Sequence, residues 1–539
     1  MSETPVASRT VGHVVAQELI QLGFGTVFAL PGIQNDPLFN AFYDFRDRIR
    51  VIHTRHEQAA AYMALGAALA TGRPAVCNVV PGPGFLNASA ALATAFGLNA
   101  PLFFLCGQIP SAEIQLGIGA LHEIPDQLGM LRTLTKFADR VNRPQDTLPV
   151  LRNAFAAMTS GRPRPVAVEI PMDVLLQPAP RSYPPPRPQA ASRGLDEQIL
   201  DRIAAAVADA RRPMIFVGSG AQDSSVHVRA LAEFLQAPVV SYRTGRGVMD
   251  SRNALSFVLP AARTLWNQSD VVLALGTTLR TPLQRWERRP GQLLFRIDVD
   301  PTTHDLLRKP DLALTAHLEE ALPRLLRRIE ASGSPRPSRS DELLRLRAEW
   351  ERKVAVLEPQ ISYLKVIREC LGETGILVEE LTQVGFASRL VYPVYRPRTF
   401  LSTGYMGTLG WGFPTALGAK RTLPACPVVS ITGDGGFMFA SSELATAVQH
   451  RIALVTVLFN NNQYGNVQQM QRELYGGRII ASDLVNPDFV RFAEAFGARA
   501  ARVRTPVELR EALERGFTAE GPTLIEVPVG DMPSVDRFR

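Results

Sequence analysis

The chain has 539 residues, 46% hydrophobic and 20% charged, which is too long for a single core and fits about three globular domains. Its net charge of +7 is small for that length, and basic clusters such as Arg46-Asp47-Arg48-Ile49-Arg50 and Arg285-Trp286-Glu287-Arg288-Arg289 carry interleaved acids. They read as solvated faces or subunit contacts, so no nucleic-acid partner is expected. No apolar run is long enough to cross a bilayer, the first ten residues lack a secretory pattern, and Cys77, Cys106, Cys370 and Cys426 form no CxxC pair. Together these features predict a cytoplasmic protein with no membrane partner and no disulfide scaffold.

In the first segment, residues 11–22 and 57–71 read as helices, and residues 26–30, 75–80, 101–106 and 166–170 as buried strands. Pro31-Gly32-Ile33 follows the first of these strands. Val51-Ile52-His53 leads into Arg55-His56-Glu57-Gln58-Ala59, which places an acid in the first turn of an Ala-rich helix, where the helix dipole favours it. Pro81-Gly82-Pro83-Gly84 follows the strand at 75–80, and Leu121-His122-Glu123-Ile124-Pro125-Asp126-Gln127 reads as a polar loop. Residues 178–188, with Pro184-Pro185-Pro186, read as an extended linker.

The second segment holds short buried strands at 213–218, 238–241, 271–276 and 294–298 that end in Gly, Ser or Asp and alternate with helical stretches, the pattern of a doubly wound domain. Residues 332–338 form a second linker. The expected organisation is α/β throughout, three doubly wound parallel-sheet domains over 1–180, 191–331 and 341–539.

The third segment carries the most informative motifs. Gly433-Asp434-Gly435 follows the apolar run 427–432, Asn460-Asn461 ends the run 455–459, and residues 441–450 between them read as a helix. Such a unit puts Asp434 and Asn461 at the carboxyl ends of two parallel strands, where open α/β sheets bind ligands. A carboxylate and an amide oxygen are hard ligands that suit Mg²⁺ together with phosphate and water. Gly435 and Gly436 let the backbone approach a phosphate at the start of the next helix.

This segment resembles the thiamine diphosphate (ThDP) signature of the acetolactate synthase, benzoylformate decarboxylase and benzaldehyde lyase superfamily. The three segments also resemble its pyrimidine-binding, central and diphosphate-binding domains, so the resemblance covers nearly the whole chain. It implies ThDP and Mg²⁺ as cofactors, with Asp434, the Asn461 side chain and the Gln463 carbonyl on the metal. It implies that Glu57 is the carboxylate beside the aminopyrimidine, where a desolvated Glu can share a proton. Within Gly404-Tyr405-Met406-Gly407-Thr408-Leu409-Gly410-Trp411-Gly412, Gly407 matches a carbonyl that accepts from the ring amine, and Leu409 matches the wedge that bends the cofactor. Thr382 and Gln383 match diphosphate contacts more loosely. In the family the activating Glu reaches cofactor held by the neighbouring subunit, which implies a homodimer or homotetramer.

The reaction is set by pocket residues. His122 or Glu123 falls where acetolactate synthases and benzaldehyde lyase carry an active-site Gln, and His122 is suited to shuttling a proton. Met470 stands where the synthases have a Trp that shapes the acceptor pocket, which speaks against acetolactate as product. Pro31 stands where benzaldehyde lyase has a catalytic His, which speaks against simple benzoin cleavage. The adjacent-histidine pair of pyruvate-decarboxylase-like enzymes is absent. Gly218-Ser219-Gly220 and Gly276-Thr277-Thr278 fit either the FAD site of some relatives or ordinary strand-end turns, and FAD is the less favoured. The resulting expectation is an acetolactate-synthase-like enzyme acting on a 2-oxo acid by decarboxylation and carboligation, with a small-molecule 2-oxo acid or aldehyde as its partner. The alternative is a 2-oxo acid decarboxylase or acyloin lyase without ligation. A catalytically silent scaffold of the same fold is the third reading, and intact Glu57, Asp434 and Asn461 argue against it.

Overall fold

Short apolar runs bounded by Gly, Pro and Asp form strands buried on both faces, which is what a parallel sheet covered by helices requires. In the computed structural model, which describes residues 9–184 and 194–538, these strands build three six-stranded, all-parallel sheets. The first contains β1 (Thr26–Ala29), β2 (Arg50–His53), β3 (Ala75–Val79), β4 (Leu102–Gln108), β5 (Phe137–Arg140) and β6 (Val166–Pro171), in the order β2-β1-β3-β4-β6-β5. The second contains β7 (Pro213–Val217), β8 (Val239–Ser241), β9 (Ser256–Val258), β10 (Val271–Leu275), β11 (Leu293–Asp298) and β12 (Leu312–Thr315), in the order β12-β11-β10-β7-β8-β9. The third contains β13 (Ile376–Glu379), β14 (Phe400–Leu401), β15 (Val428–Gly433), β16 (Val455–Asn460), β17 (Arg499–Arg502) and β18 (Thr523–Pro528), in the order β14-β13-β15-β16-β18-β17. Renumbered within each sheet, the first and third orders are the same. The central sheet differs, reversing between β7 and β10, as doubly wound sheets do.

Part of the expected linker at 178–188 lies outside the described residues. The second linker separates helix Leu318–Ser332 from helix Ser340–Val354. That second helix lends Leu343 to the central core and Val354 to the third, so it bridges two domains rather than opening one. Among the described residues no helix is long and apolar enough to cross a membrane.

One packing feature positions the site. Helix Glu57–Thr71 is rich in Ala and buried on nearly every side, so its partners approach its backbone. It crosses helix Gly412–Thr422 of the third domain through two glycines. A Cβ on Gly66 would lie 1.9 Å from the Thr415 carbonyl oxygen, and one on Gly418 would lie 1.9 Å from that of Met63. The crossing sits in a single hydrophobic cluster shared by the first and third domains.

Candidate active site

β15 and β16 are neighbours, with Gly433 opposite Phe459, so Asp434 and Asn461 do occupy adjacent strand ends. The chain leaves β15 through the short helix Asp434–Met438, and the helix expected over 441–450 runs over Glu443–Gln449. Asp434 is buried, which pushes its carboxyl up. Asn486 Nδ2 donates to Asp434 Oδ2 at 2.7 Å and also lies 3.2 Å from Asn460 Oδ1 and 3.1 Å from Asn462 Oδ1. The Asn461 amide has room because Gly465 has no Cβ, which would sit 2.8 Å from Asn461 Nδ2. Thr382 and Gln383 open helix Gln383–Val391 against the same place. A Cβ on Gly433 would meet the Thr382 side chain at 3.5 Å, and one on Gly465 would meet Gln383 Cδ at 3.7 Å. Gln463 donates its side-chain amide to Asp531 Oδ1 at 2.8 Å, so a metal contact from Gln463 would come from its backbone. Gly435 and Gly436 are required by packing, since added Cβ atoms would lie 2.5 Å from the Tyr464 ring and 2.8 Å from Glu380 Oε1.

Among the described residues no three His, Cys, Asp or Glu side chains gather to hold a metal. One carboxylate with amide and carbonyl oxygens is a different donor set. It suits Mg²⁺ whose other ligands are phosphate and water, and the residues present fit such a metal–diphosphate group. A cleft of about 330 Å³ opens beside it, lined by Gly435, Met438, Phe439, Tyr464, Leu484 and Asn486, among others.

Behind Asp434 lies a residue that no sequence motif marked. Glu380 follows β13 and is fully buried. The Thr432 hydroxyl and the Gly410 N–H donate to it, and burial raises its carboxyl to about 7. Glu379 beside it is equally buried but takes a bidentate pair from Arg389, at 2.8 and 3.0 Å, and the Ser402 hydroxyl. Two adjacent glutamates therefore sit in opposite environments, one paired with a cation and one not. Glu380 backs the loop carrying Gly407 and Leu409. Gly404, Gly407 and Gly410 have φ of +64°, +60° and +77°, a left-handed backbone that favours glycine. Leu409 is partly buried.

On the other side, Glu57 is the first residue of its helix, where the His56 side chain accepts from the Gln58 N–H. Asn87 Nδ2 donates to Glu57 Oε2 at 3.0 Å, and Glu57 Oε1 lies 3.5 Å from where a Cβ on Gly84 would be. The Gly-rich loop at 81–84 is thus the neighbour of Glu57. Burial and the nearby Glu57 charge push the Cys77 thiol far up, so it is an inert core thiol. The loop rests on buried polar groups not foreseen from sequence. Gly82 N–H donates to Gln127 Oε1 at 2.9 Å, and Gln127 Nε2 donates to Gly107 O at 3.1 Å and Glu169 Oε2 at 2.9 Å. Arg140 pairs with Glu169 in turn.

His122 sits at φ +71°, and a Cβ on Gly82 would fall 2.4 Å from its carbonyl oxygen, so its loop is seated on Gly82. Its Nδ1 is 2.9 Å from Oε1 of buried Gln34, whose Nε2 donates to Leu121 O at 3.0 Å. The Leu121 carbonyl settles which way the Gln34 amide points. Nδ1 of neutral His122 then carries the hydrogen and Nε2 the lone pair. Glu123 is placed differently. Its carboxylate accepts from the N–H groups of Gly117, Gly119 and Ala120 at 2.8, 2.8 and 3.1 Å, which holds it below the usual carboxylate range. Glu123 therefore locks its own loop. Pro31 and Met470 are both exposed, Met470 by 43%.

The central-domain glycines answer to each other. A Cβ on Gly218 would lie 2.4 Å from Gly276 O, and one on Gly220 would lie 2.9 Å from Gly276 Cα. Close approach of the β7 and β10 ends explains both turns. They border an interdomain cleft of about 990 Å³ whose lining includes Arg162, Arg164, Arg243, Arg280 and Arg398.

Three α/β domains, with a buried carboxylate and an asparagine amide on neighbouring strand ends of the third, present a donor set that fits a metal-bound diphosphate. Residues 9–130, 200–325 and 381–527 match, in turn, the N-terminal binding domain, the central domain and the C-terminal binding domain of thiamine pyrophosphate enzymes. The chain is 32% identical to the probable 2-ketoarginine decarboxylase AruI of Pseudomonas aeruginosa, over 97% of this chain and 94% of that protein. It is 32% identical to the acetolactate synthase isozyme 3 large subunit of Escherichia coli, over 94% and 92%. It is 31% identical to a probable acetolactate synthase large subunit of Methanocaldococcus jannaschii, over 94% and 90%. The chain belongs to the thiamine pyrophosphate enzyme family, and its cofactors are ThDP and Mg²⁺.

Proposed function

We propose that this enzyme decarboxylates a 2-oxo acid and completes the reaction by protonation, with His122 as the proton carrier. The observation behind this reading is the Gln34–His122 hydrogen bond, which fixes the imidazole tautomer and leaves Nε2 as the working nitrogen. Nε2 takes a proton from solvent and, as the imidazolium, delivers it to the substrate carbon that has lost CO₂. A relative named for decarboxylating 2-ketoarginine supports a 2-oxo acid as substrate class.

ThDP when bound supplies a nucleophilic carbon and an electron sink. The protein holds and poises it. Asp434, Asn461 and the Gln463 carbonyl take the metal, and Thr382, Gln383, Gly435 and Gly436 take the diphosphate. Gly407 and Leu409 frame the aminopyrimidine, and Glu57 holds the proton at its ring nitrogen. On the family resemblance Glu57 serves cofactor bound by a second copy, so the working unit is a homodimer or homotetramer.

Carboligation is the second reading. It is supported by relatives named acetolactate synthases, while Met470, 43% exposed in place of the synthases' Trp, speaks against acetolactate itself as the product. Product analysis with pyruvate and with 2-ketoarginine, in the presence of ThDP and Mg²⁺, separates the two. Free aldehyde is the expected product, and a hydroxyketone as main product assigns the enzyme to ligation. No CO₂ from any 2-oxo acid tried would refute both.

A further inference from the structure

We infer that Glu443 is a positioning residue for Glu57, an inference that rests on the activating role proposed for Glu57. Glu443 begins helix Glu443–Gln449 in the third domain and is fully buried. Among the described residues no Lys, Arg or His forms an ion pair with its carboxylate, and the Arg55 charge acts on it only from a distance. Both oxygens lie 3.2 Å from the backbone N of Arg55, the N–H of His56 also points at it, and the Thr446 hydroxyl donates to it. Arg55 and His56 are the two residues that lead into Glu57.

A buried carboxylate spent on backbone N–H groups of another domain costs desolvation. Its return is geometric, because it fixes where the helix carrying Glu57 begins. Two outer contacts support the same junction: Arg55 Nη2 donates to Gln449 Oε1 at 3.0 Å, and His450 Nε2 lies 3.1 Å from His53 O. Glu443 stands nine residues beyond Asp434 in the chain. The segment carrying the metal ligand thus also holds the loop that aims the activator. Proton exchange at the cofactor depends on Glu57 reaching a ring nitrogen, and a misplacement of about 1 Å can cost about a hundredfold.

The test is exchange of the C2 proton of bound ThDP in deuterated water, at saturating ThDP and Mg²⁺, with cofactor affinity measured by calorimetry. Glu443→Gln keeps the shape and one acceptor oxygen, and should slow exchange about tenfold. Glu443→Leu should slow it about a hundredfold. In both, ThDP affinity should stay near the parent's, because Glu443 touches no cofactor-binding residue. Gln449→Ala, which removes only the exposed outer contact, should exchange at the parent rate. A purely structural role would lower the melting temperature of Glu443→Gln and leave its exchange at the parent rate, which would overturn the inference. If Glu443→Leu does not fold, Glu443→Gln decides. Glu57→Gln run in parallel separates two failures. Exchange lost there but unaltered in Glu443→Gln sinks only the inference, whereas parent-rate exchange in Glu57→Gln sinks the activator assignment and the inference with it.

Discussion

Replacing Gly66 with Ala sets two effects against each other. In a helix interior Ala is favoured over Gly by about 1 kcal/mol. The new Cβ, however, would lie 1.9 Å from the Thr415 carbonyl oxygen and 2.7 Å from its carbonyl carbon. A comfortable carbon–oxygen contact is about 3.3 Å, so the two helices would have to part by about 1 Å or more. Local give is blocked, because Gly418 on the same partner helix already meets the Met63 carbonyl at 1.9 Å from its own missing Cβ. A radial gap of about 1 Å forfeits up to half of the dispersion energy along the crossing, and overpacking of this kind costs about 1–3 kcal/mol. The clash therefore wins, leaving a net loss of about 2 kcal/mol at the upper end of that range, or about 2 °C in melting temperature for a chain of this length. Scanning calorimetry of parent and variant reads it directly. Glu57 lies at the start of the same helix, so C2-proton exchange of bound ThDP should slow as well. A Gly66→Ala protein that melts at or above the parent would show that helix propensity dominates and that the crossing is not close-packed.

Asp434→Ala should remove the Mg²⁺-dependent part of ThDP binding in a calorimetric titration; equal affinity with and without metal in the parent would contradict the clamp. His122→Gln should slow turnover and shift product from aldehyde toward hydroxyketone, with ThDP affinity retained; an unaltered rate and product ratio would remove His122 from the mechanism. For Glu380 the buried folded state holds its proton more tightly than the unfolded chain does, with the carboxyl raised from 4.5 to about 7. The stability it contributes is therefore complete below about pH 4.5 and lost as pH rises through about 7, a change of up to about 3 kcal/mol. In denaturant titrations of cofactor-free protein between about pH 5 and 8, Glu380→Gln should lose less stability than the parent, and equal losses would contradict the burial argument.

Local chemistry was legible in the sequence wherever a motif sat on an apolar strand. Helix 57–71 has the expected bounds, and the strand ends at Asp434 and Asn461 lie side by side as their spacing implied. Edge strands such as β5 (Phe-Ala-Asp-Arg) and β17 (Arg-Ala-Ala-Arg) carry no apolar run, so periodicity did not mark them. The groups that support the site were the least visible. Gln34, Gln127, Glu380, Glu443 and Asn486 are single polar residues whose partners lie largely elsewhere in the chain, and only the tertiary fold shows which backbone and side-chain groups satisfy them. The one local hint was Glu379-Glu380, an acidic pair closing a buried strand. The likeness of the first and third sheets is purely topological, because strand order leaves no trace in composition.

Glu57 is proposed to activate ThDP held between Asp434 and Asn461. The most direct measurement is C2-proton exchange of ThDP bound to the parent and to Glu57→Gln, followed by proton NMR after acid quench in deuterated water at saturating Mg²⁺. Gln still reaches the aminopyrimidine but cannot share an acidic proton, so binding should persist while exchange slows about 10²–10⁴-fold. Exchange in Glu57→Gln as fast as in the parent would contradict the assignment and reduce Glu57 to a helix-terminal acid.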